Sequence, residues 1–252
     1  MRYRIVVAGY STQGILHVKK NVECQDSTFT WKNKDKLEAY VAVSDGAGCY
    51  KHSKRGADLC VRAPVKFLRS NFDNLFRNPN INRLLVEYIQ NILREFSEKE
   101  HIDIKELSAT LSFVYIKRFG KTTRYIAGNI GDGAVVIEEN DKLSVLSHPE
   151  KGEYANTTYF LPLSDAKEKM NIYTGELKGR IGFLLFSDGA GESLYIRKEK
   201  RCNEIFCKKI FEWCDYYSEK KVVKILKHNL EKGLFKKVSV DDCSIAVLRV
   251  SK

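Results

Sequence analysis

The run Ser-Asp-Gly-Ala-Gly occurs twice in this chain, at 44–48 and at 187–191, and a shorter echo, Gly-Asp-Gly-Ala, stands at 131–134. Each follows an apolar stretch. Each therefore reads as a tight turn closing a buried strand, with a carboxylate (Asp45, Asp188 or Asp132) at the strand's end. The adjoining glycine lets the backbone turn sharply and lets a carbonyl oxygen come close to a ligand. A single Asp-Gly is most simply a hairpin turn. Three related turns behind apolar strands suggest gathered carboxylates, and those suggest a divalent cation bound through oxygen.

The elements that must position these turns follow along the chain. Residues 1–10, 26–31 and 39–45 read as strands, with a polar connection at 14–26. Residues 56–72 read as a helix that Pro64 can bend. Residues 81–98 carry Leu84, Leu85, Tyr88, Ile89, Ile92, Leu93 and Phe96 at helical spacing, a core-facing stripe. Stretches at 110–116, 122–127, 134–138 and 142–146 read as an antiparallel meander by their turn spacing. Residues 147–179 are the least regular and read as a surface flap over a site. Two helices at 203–217 and 219–232 precede a last strand that Asp241-Asp242 opens. No linker or composition break divides the chain, so the expectation is one domain over 1–252, a sheet sandwich flanked by helix pairs.

Composition narrows the function. No apolar run approaches the roughly 20 residues of a membrane span, and the apolar stretch near the start is too short for a signal peptide. A cytoplasmic protein is expected. The formal charge is +11, with basic clusters at 51–55, 197–201 and Lys236-Lys237. A solvated basic surface is the plain reading, and attraction to phosphorylated or acidic partners is the functional one. Seven cysteines without a Cys-x-x-Cys pair argue against structural zinc and for reduced thiols. No Gly-x-Ser-x-Gly occurs.

Topology can bring the acidic turns together. Asp45 and Asp188 end strands, while Asp241 and Asp242 begin one. An antiparallel last strand puts all three ends on one edge, and Asp26, just before the strand at 27–31, can join them. So many carboxylates cannot all stay ionised without cations. Oxygen donors without His or Cys favour Mg²⁺ or Mn²⁺ over Zn²⁺. Two such ions sharing a water would lower its pKa and ready it for in-line attack on a phosphate ester.

Six segments, in order, now carry a resemblance: Cys24-Gln-Asp26, Val43-Ser-Asp-Gly-Ala-Gly48, Ser108-Ala-Thr110, Asn129-Ile-Gly-Asp-Gly133, Phe186-Ser-Asp-Gly-Ala-Gly-Glu192 and Asp241-Asp-Cys-Ser244. Together they resemble the metal-dependent Ser/Thr protein phosphatases of type 2C, the PPM family, over nearly the whole chain. The run at 152–157 resembles its compact bacterial branch. The resemblance implies an α+β fold, a four-layer α-β-β-α sandwich of two antiparallel sheets. It implies hydrolysis of phosphoserine or phosphothreonine on proteins through a metal-bridging water, with Asp45 and Asp26 as catalytic residues. Asp45 would bridge two Mn²⁺ or Mg²⁺ ions with the Gly46 carbonyl as a further ligand. Asp188 and Asp241 would complete one shell, Asp26 would hold metal-bound water, and Asp132 with Asp188 would mark a third, weaker position. The implied partners are a phosphorylated protein and a cognate Ser/Thr kinase; no membrane contact is expected, and nucleic-acid binding by the basic surface is a third reading that would show as salt-dependent binding without metal.

The chain departs from that pattern in four places. Gln25 replaces a common Glu, Ala47 a His proposed as general acid, and Glu192 a frequent Asp. Asn21 stands where the family has a phosphate-binding Arg. The nearest cations, Lys20, Lys19 and His17, are the candidates to bind substrate instead. A competing reading is a catalytically weak phosphatase-fold module that regulates or binds phosphoproteins. Such a module would be expected to lose Asp45, Asp188 or Asp241, and all three are present.

Overall fold

The apolar runs behind the acidic turns become the inner strands of two sheets. The computed structural model describes residues 3–150, 158–232 and 239–251. Its strands are β1 (Arg4–Thr12), β2 (Ser27–Asn33), β3 (Glu38–Ser44), β4 (Leu111–Phe119), β5 (Thr122–Ile130), β6 (Ala134–Glu139), β7 (Lys142–Ser147), β8 (Asn171–Lys178), β9 (Ile181–Phe186), β10 (Tyr195–Ile196), β11 (Arg201–Cys202) and β12 (Cys243–Ser251). Its helices are α1 (Ile15–Lys20), α2 (Ser53–Leu75), α3 (Ile81–Glu100), α4 (Ala166–Lys169), α5 (Asp188–Leu194), α6 (Glu204–Tyr216) and α7 (Glu219–Lys232).

One antiparallel sheet runs β1-β12-β9-β6-β7 and the other β2-β3-β4-β5-β8. Strands β3 and β12 are buried along their whole length. One face of each meets the opposite sheet and the other lies under helices, which is why both read as near-continuous apolar runs. Val7, Val41, Val114, Phe183 and Leu248 fill the space between the sheets. Leu68 of α2 and Leu85, Ile89 and Leu93 of α3 pack with Tyr40, Phe113 and Tyr115 outside the second sheet. Ile210 and Phe211 of α6 and Val222 and Leu226 of α7 cover the first. Each such side chain contributes about 1.5–3 kcal/mol by leaving water. The result is the expected α-β-β-α sandwich.

Register gathers the acidic ends. The end of β1 pairs with the start of β12 through Thr12 and Cys243, and Phe186, closing β9, lies opposite Ile245. Phe186 also lies opposite Ala134, the first residue of β6. In the other sheet, Ser27 at the start of β2 pairs with Ser44 at the end of β3.

Three expectations need correction. Residues 110–146 are not one meander, because β4 and β5 belong to one sheet and β6 and β7 to the other. The chain crosses between sheets at Gly131-Asp132-Gly133, where Gly131 adopts φ 103°, a left-handed conformation suited to glycine. Residues 147–179 are not only a flap, since they hold α4 and the edge strand β8, whose mostly half-exposed residues give no apolar run. The polar connection at 14–26 holds α1, a six-residue helix that buries no side chain and so leaves no periodic signal. The 152–157 run and the Lys236-Lys237 pair lie outside the described residues.

Candidate metal centre

Each acidic turn is fixed by its neighbours before any ligand is considered. Past the end of β3, the Asp45 amide donates to Thr110 Oγ1 at 2.9 Å and its carbonyl accepts from the Thr110 amide at 2.8 Å. Ser44 Oγ donates to the Thr110 carbonyl at 2.5 Å. Gly46 bridges to Ala109, and a Cβ there would lie 2.8 Å from the Ser53 backbone, so only glycine fits. In the second repeat, Ser187 Oγ donates to Asp26 Oδ2 at 2.7 Å and accepts from the Ser244 amide at 3.0 Å. The serines of both repeats thus clamp distant segments.

The carboxylates converge. Burial, then Asp26, Asp188, Asp132 and Asp241 in turn, push the Asp45 carboxyl well above the usual range. Burial, then Asp132 and Asp241, raise Asp188 to about 6, with Arg197 opposing. Burial is also the main cause that raises Asp26 to about 7. Hydrogen bonds from Ser187 and Ser244 oppose it, and the charges of Asp242 and Asp188 add to it. Asp26 Oδ1 and Asp188 Oδ1 are buried without a hydrogen-bond partner. Asp132 Oδ2 accepts from Thr158 Oγ1 at 3.0 Å. An all-oxygen donor set with orphaned, mutually repelling carboxylates fits a hard divalent cation.

Asp241 and Asp242 differ. Asp241 is exposed and faces the cluster electrostatically, whereas Asp242 is buried. The Asp242 carboxylate accepts from the amides of Gly14 and Gln25, each at 2.6 Å, and so ties the strand-linking segment 13–26 to the start of β12. His17 Nδ1 lies 2.9 Å from Asp242 Oδ2, off hydrogen-bond direction. The potential ligand atoms of His17, Asp241 and Asp242 lie within 4.8 Å of one another.

Of the residues read as substrate-binding, His17 thus stands beside the cluster. Lys19 and Lys20 are exposed on the same short helix, which Asn21 ends in a left-handed conformation. Glu192 is exposed and Ala47 buried.

Two further cations bear on the acidic cluster and carry no signal of that in the sequence. Lys54 Nζ donates to the Asp26 carbonyl at 2.9 Å, to Ser27 Oγ at 2.8 Å and to Asp58 at 3.1 Å. Arg197 lowers the Asp188 pKa by its charge. Both sit in basic clusters visible in the sequence, but nothing there says which member acts on the aspartates. The sequence also holds a Cys-x5-Arg spacing, Cys49 to Arg55. It builds no phosphate loop: Cys49 is exposed and Arg55 lies over the Phe96 ring at 4.8 Å.

Comparisons with known proteins follow the same line. A family model described as protein phosphatase 2C matches residues 13–232. Serine/threonine-protein phosphatase 3 of Escherichia coli (strain K12) is 27% identical over 179 residues, 69% of this chain and 68% of that protein. Among solved structures, the catalytic domain of the serine threonine protein phosphatase PstP, in complex with 2 manganese ions, matches with TM-score 0.61 at 15% identity, covering 99% of this chain and 100% of that one. PppA of Pseudomonas aeruginosa, described as a key regulatory component of a T6SS, matches with TM-score 0.57 at 17% identity, covering 99% and 98%. At those identities the two structures speak for the fold alone.

Proposed function

The chain belongs to the protein phosphatase 2C family of metal-dependent serine/threonine protein phosphatases, and from that premise we propose how its residues carry out the hydrolysis. One observation carries the reading. Two Ser-Asp-Gly-Ala-Gly turns, one closing a strand of each sheet, come together with Asp26, and buried carboxylate oxygens there are left unpartnered. Asp45, the Gly46 carbonyl, Asp188 and Asp241 would hold two Mn²⁺ or Mg²⁺ ions there, and Asp132 with Asp188 a third. When bound, such ions supply Lewis-acid chemistry, lowering the pKa of a shared water and offsetting charge on the phosphoryl group.

The remaining work falls to the chain's own side chains. Asp26, held through Oδ2 by Ser187, keeps Oδ1 free to orient a water and take its proton. Thr110 fixes the backbone on both sides of the Asp45 α-carbon, so that carboxylate is aimed before substrate arrives. Lys20, with Lys19 and His17, is the proposed contact for phosphoryl oxygens. It is a flexible point charge where relatives use a bidentate Arg.

The substrates on this reading are phosphoserine and phosphothreonine proteins, supplied by a Ser/Thr kinase, and residues 1–252 act as one cytoplasmic phosphatase unit. No helix among the described residues is long and apolar enough to cross a membrane. The test is hydrolysis of p-nitrophenyl phosphate and of a phosphothreonine peptide with Mn²⁺, with Mg²⁺ and with excess chelator. Activity should depend on the metal and vanish with the chelator, and full turnover in chelator overturns the proposal.

A further inference from the structure

Three arginines of α2, Arg55, Arg62 and Arg69, recur at a seven-residue interval, with Lys66 between the last two. All four are exposed. Helical rise sets the α-carbons of successive arginines about 10.5 Å apart. Each guanidinium lies over an aromatic ring: Arg55 over Phe96 at 4.8 Å, Arg62 over Phe29 at 4.7 Å and Arg69 over Trp31 at 5.2 Å. A ring beneath a guanidinium restrains it and leaves its N–H donors for a planar anion.

These charges are also unspent. Among the described residues, none of the four forms an ion pair. The two acidic residues of α2 are already engaged, Asp58 by Lys54 at 3.1 Å and Asp73 by Lys117 at 2.6 Å.

The row has two ends. At the start of α2, Lys54 reaches the carbonyl of Asp26, so the row begins beside the acidic cluster. At the far end, a hollow of about 510 Å³ is lined by Trp31, Lys36, Lys66 and Arg69, with the buried Glu38 as its one carboxylate. Alongside runs β2, the outermost strand of its sheet, which contributes Phe29 and Trp31.

We propose that α2 and the β2 edge form a docking track for an acidic stretch of the phosphorylated polypeptide whose phosphoresidue occupies the metal centre. The proposal rests on the phosphatase reading only for that last clause. Charge complementarity selects the occupant. An extended polyproline-type peptide repeats a face every three residues, about 9.3 Å, close to the arginine interval. A nucleic-acid strand carries a charge about every 3.4 Å, far denser than the row.

The test uses the full chain with Mn²⁺ and, separately, with chelator. Fluorescence anisotropy follows a labelled, unphosphorylated peptide bearing Asp or Glu at every third position, beside a neutral peptide of equal length. The acidic peptide should bind more tightly, with affinity falling steeply as salt rises. The pair Arg62→Gln/Arg69→Gln should weaken it by about tenfold or more, and Arg62→Lys/Arg69→Lys by less. On phosphorylated versions, the Gln pair should raise KM for the acidic substrate while turnover of p-nitrophenyl phosphate stays within about twofold. Equal binding of acidic and neutral peptides overturns the track. So does an unchanged Kd in the Gln pair while its thermal melt is native-like, or tighter capture of a single-stranded RNA of equal length. If no ester is hydrolysed yet the acidic peptide binds and the Gln pair releases it, the track stands and the phosphatase reading alone fails.

Discussion

Ser187 Oγ donates to Asp26 Oδ2 at 2.7 Å, so the residue that opens one acidic turn holds a carboxylate 161 positions away. The same oxygen accepts from the Ser244 amide at 3.0 Å, which joins three segments at one atom. Removing the hydroxyl takes a hydrogen bond from a charged group, worth about 1.5–3 kcal/mol. Ser187→Ala should leave the fold intact and raise the Mn²⁺ needed for half-maximal activity by about 10- to 100-fold, as outer-shell changes do at other metal sites. A Mn²⁺ titration of activity, paired with calorimetry of Mn²⁺ binding, reads this directly. An unchanged requirement would mean that the bond does not position Asp26.

Stability without metal should fall as pH rises. Burial first and neighbouring carboxylates second raise Asp26 to about 7 and Asp188 to about 6, and hold Asp45 well above the usual range. The folded state therefore keeps protons that the unfolded chain releases. Their contribution is fully present below the unfolded pKa, about 3.9, and is lost as pH passes through the folded values. In chelator, Tm should decline between about pH 4 and 7, and saturating Mn²⁺ should remove most of the decline near neutrality. A chelated protein whose Tm is flat or rising across that window contradicts the crowding.

The adjacent aspartates at the start of β12 should separate cleanly. Asp45→Ala and Asp241→Ala are expected to lose activity by about a hundredfold or more, since each removes a proposed ligand. Their metal-free melts should stay level or rise slightly, because one like charge leaves the cluster. Asp242→Ala instead orphans the buried amides of Gly14 and Gln25 and should cost about 2–4 kcal/mol in urea unfolding. Near-native turnover in Asp45→Ala counts against the assignment, and a harmless Asp242→Ala counts against its anchoring role.

That division was not legible in the sequence, where Asp241-Asp242 reads as a pair. The repeats were legible, because apolar runs ending in Asp-Gly announce buried strands that stop at a ligand-capable turn. The helices with a clear stripe, α3, α6 and α7, were legible as well. Short-range signals failed where tertiary packing decides. β8 is an edge strand with a half-exposed pattern, and α1 buries nothing. Gly131-Asp132-Gly133 looks like a hairpin turn but carries the chain from one sheet to the other. Ser44 and Ser187 were visible in both repeats, yet their partners, Thr110 and Asp26, lie far away in sequence.

Away from the centre, Arg249 offers a test of the sandwich. It is 1% exposed, with Nη1 2.8 Å from Glu138 and Nε and Nη2 each 2.9 Å from the two oxygens of Asp215. Arg249→Ala leaves the buried Glu138 without its nearest cation and should cost about 3–5 kcal/mol. The pair Arg124–Glu176, at 2.8 Å, provides the contrast, and Glu176→Ala, which removes the ion pair but keeps the Arg124 contacts with Phe76 and Phe119, should cost at most about 1 kcal/mol. Urea unfolding of both variants checks the ratio, and equal losses would contradict it.

On the resemblance, the phosphate contact is where this chain departs from the family pattern, with neutral Asn21 where an Arg is expected. The proposed substitutes sit on α1, yet His17 is drawn to Asp242 while Lys19 and Lys20 extend into solvent. A lysine on a flexible stem holds two oxygens less well than a guanidinium. Lys20→Ala should therefore raise KM for p-nitrophenyl phosphate more than it lowers kcat, the pattern of a contact made equally in ground and transition states. Lys19→Ala should do less. His17→Ala should act partly through Asp242, showing a small loss of stability beside any kinetic change. If all three leave kcat/KM within about twofold, under about 0.4 kcal/mol of transition-state stabilisation, α1 is not the clamp. Arg197, whose charge lowers the Asp188 pKa, and Lys54, hydrogen-bonded to the Asp26 carbonyl, then become the groups to change.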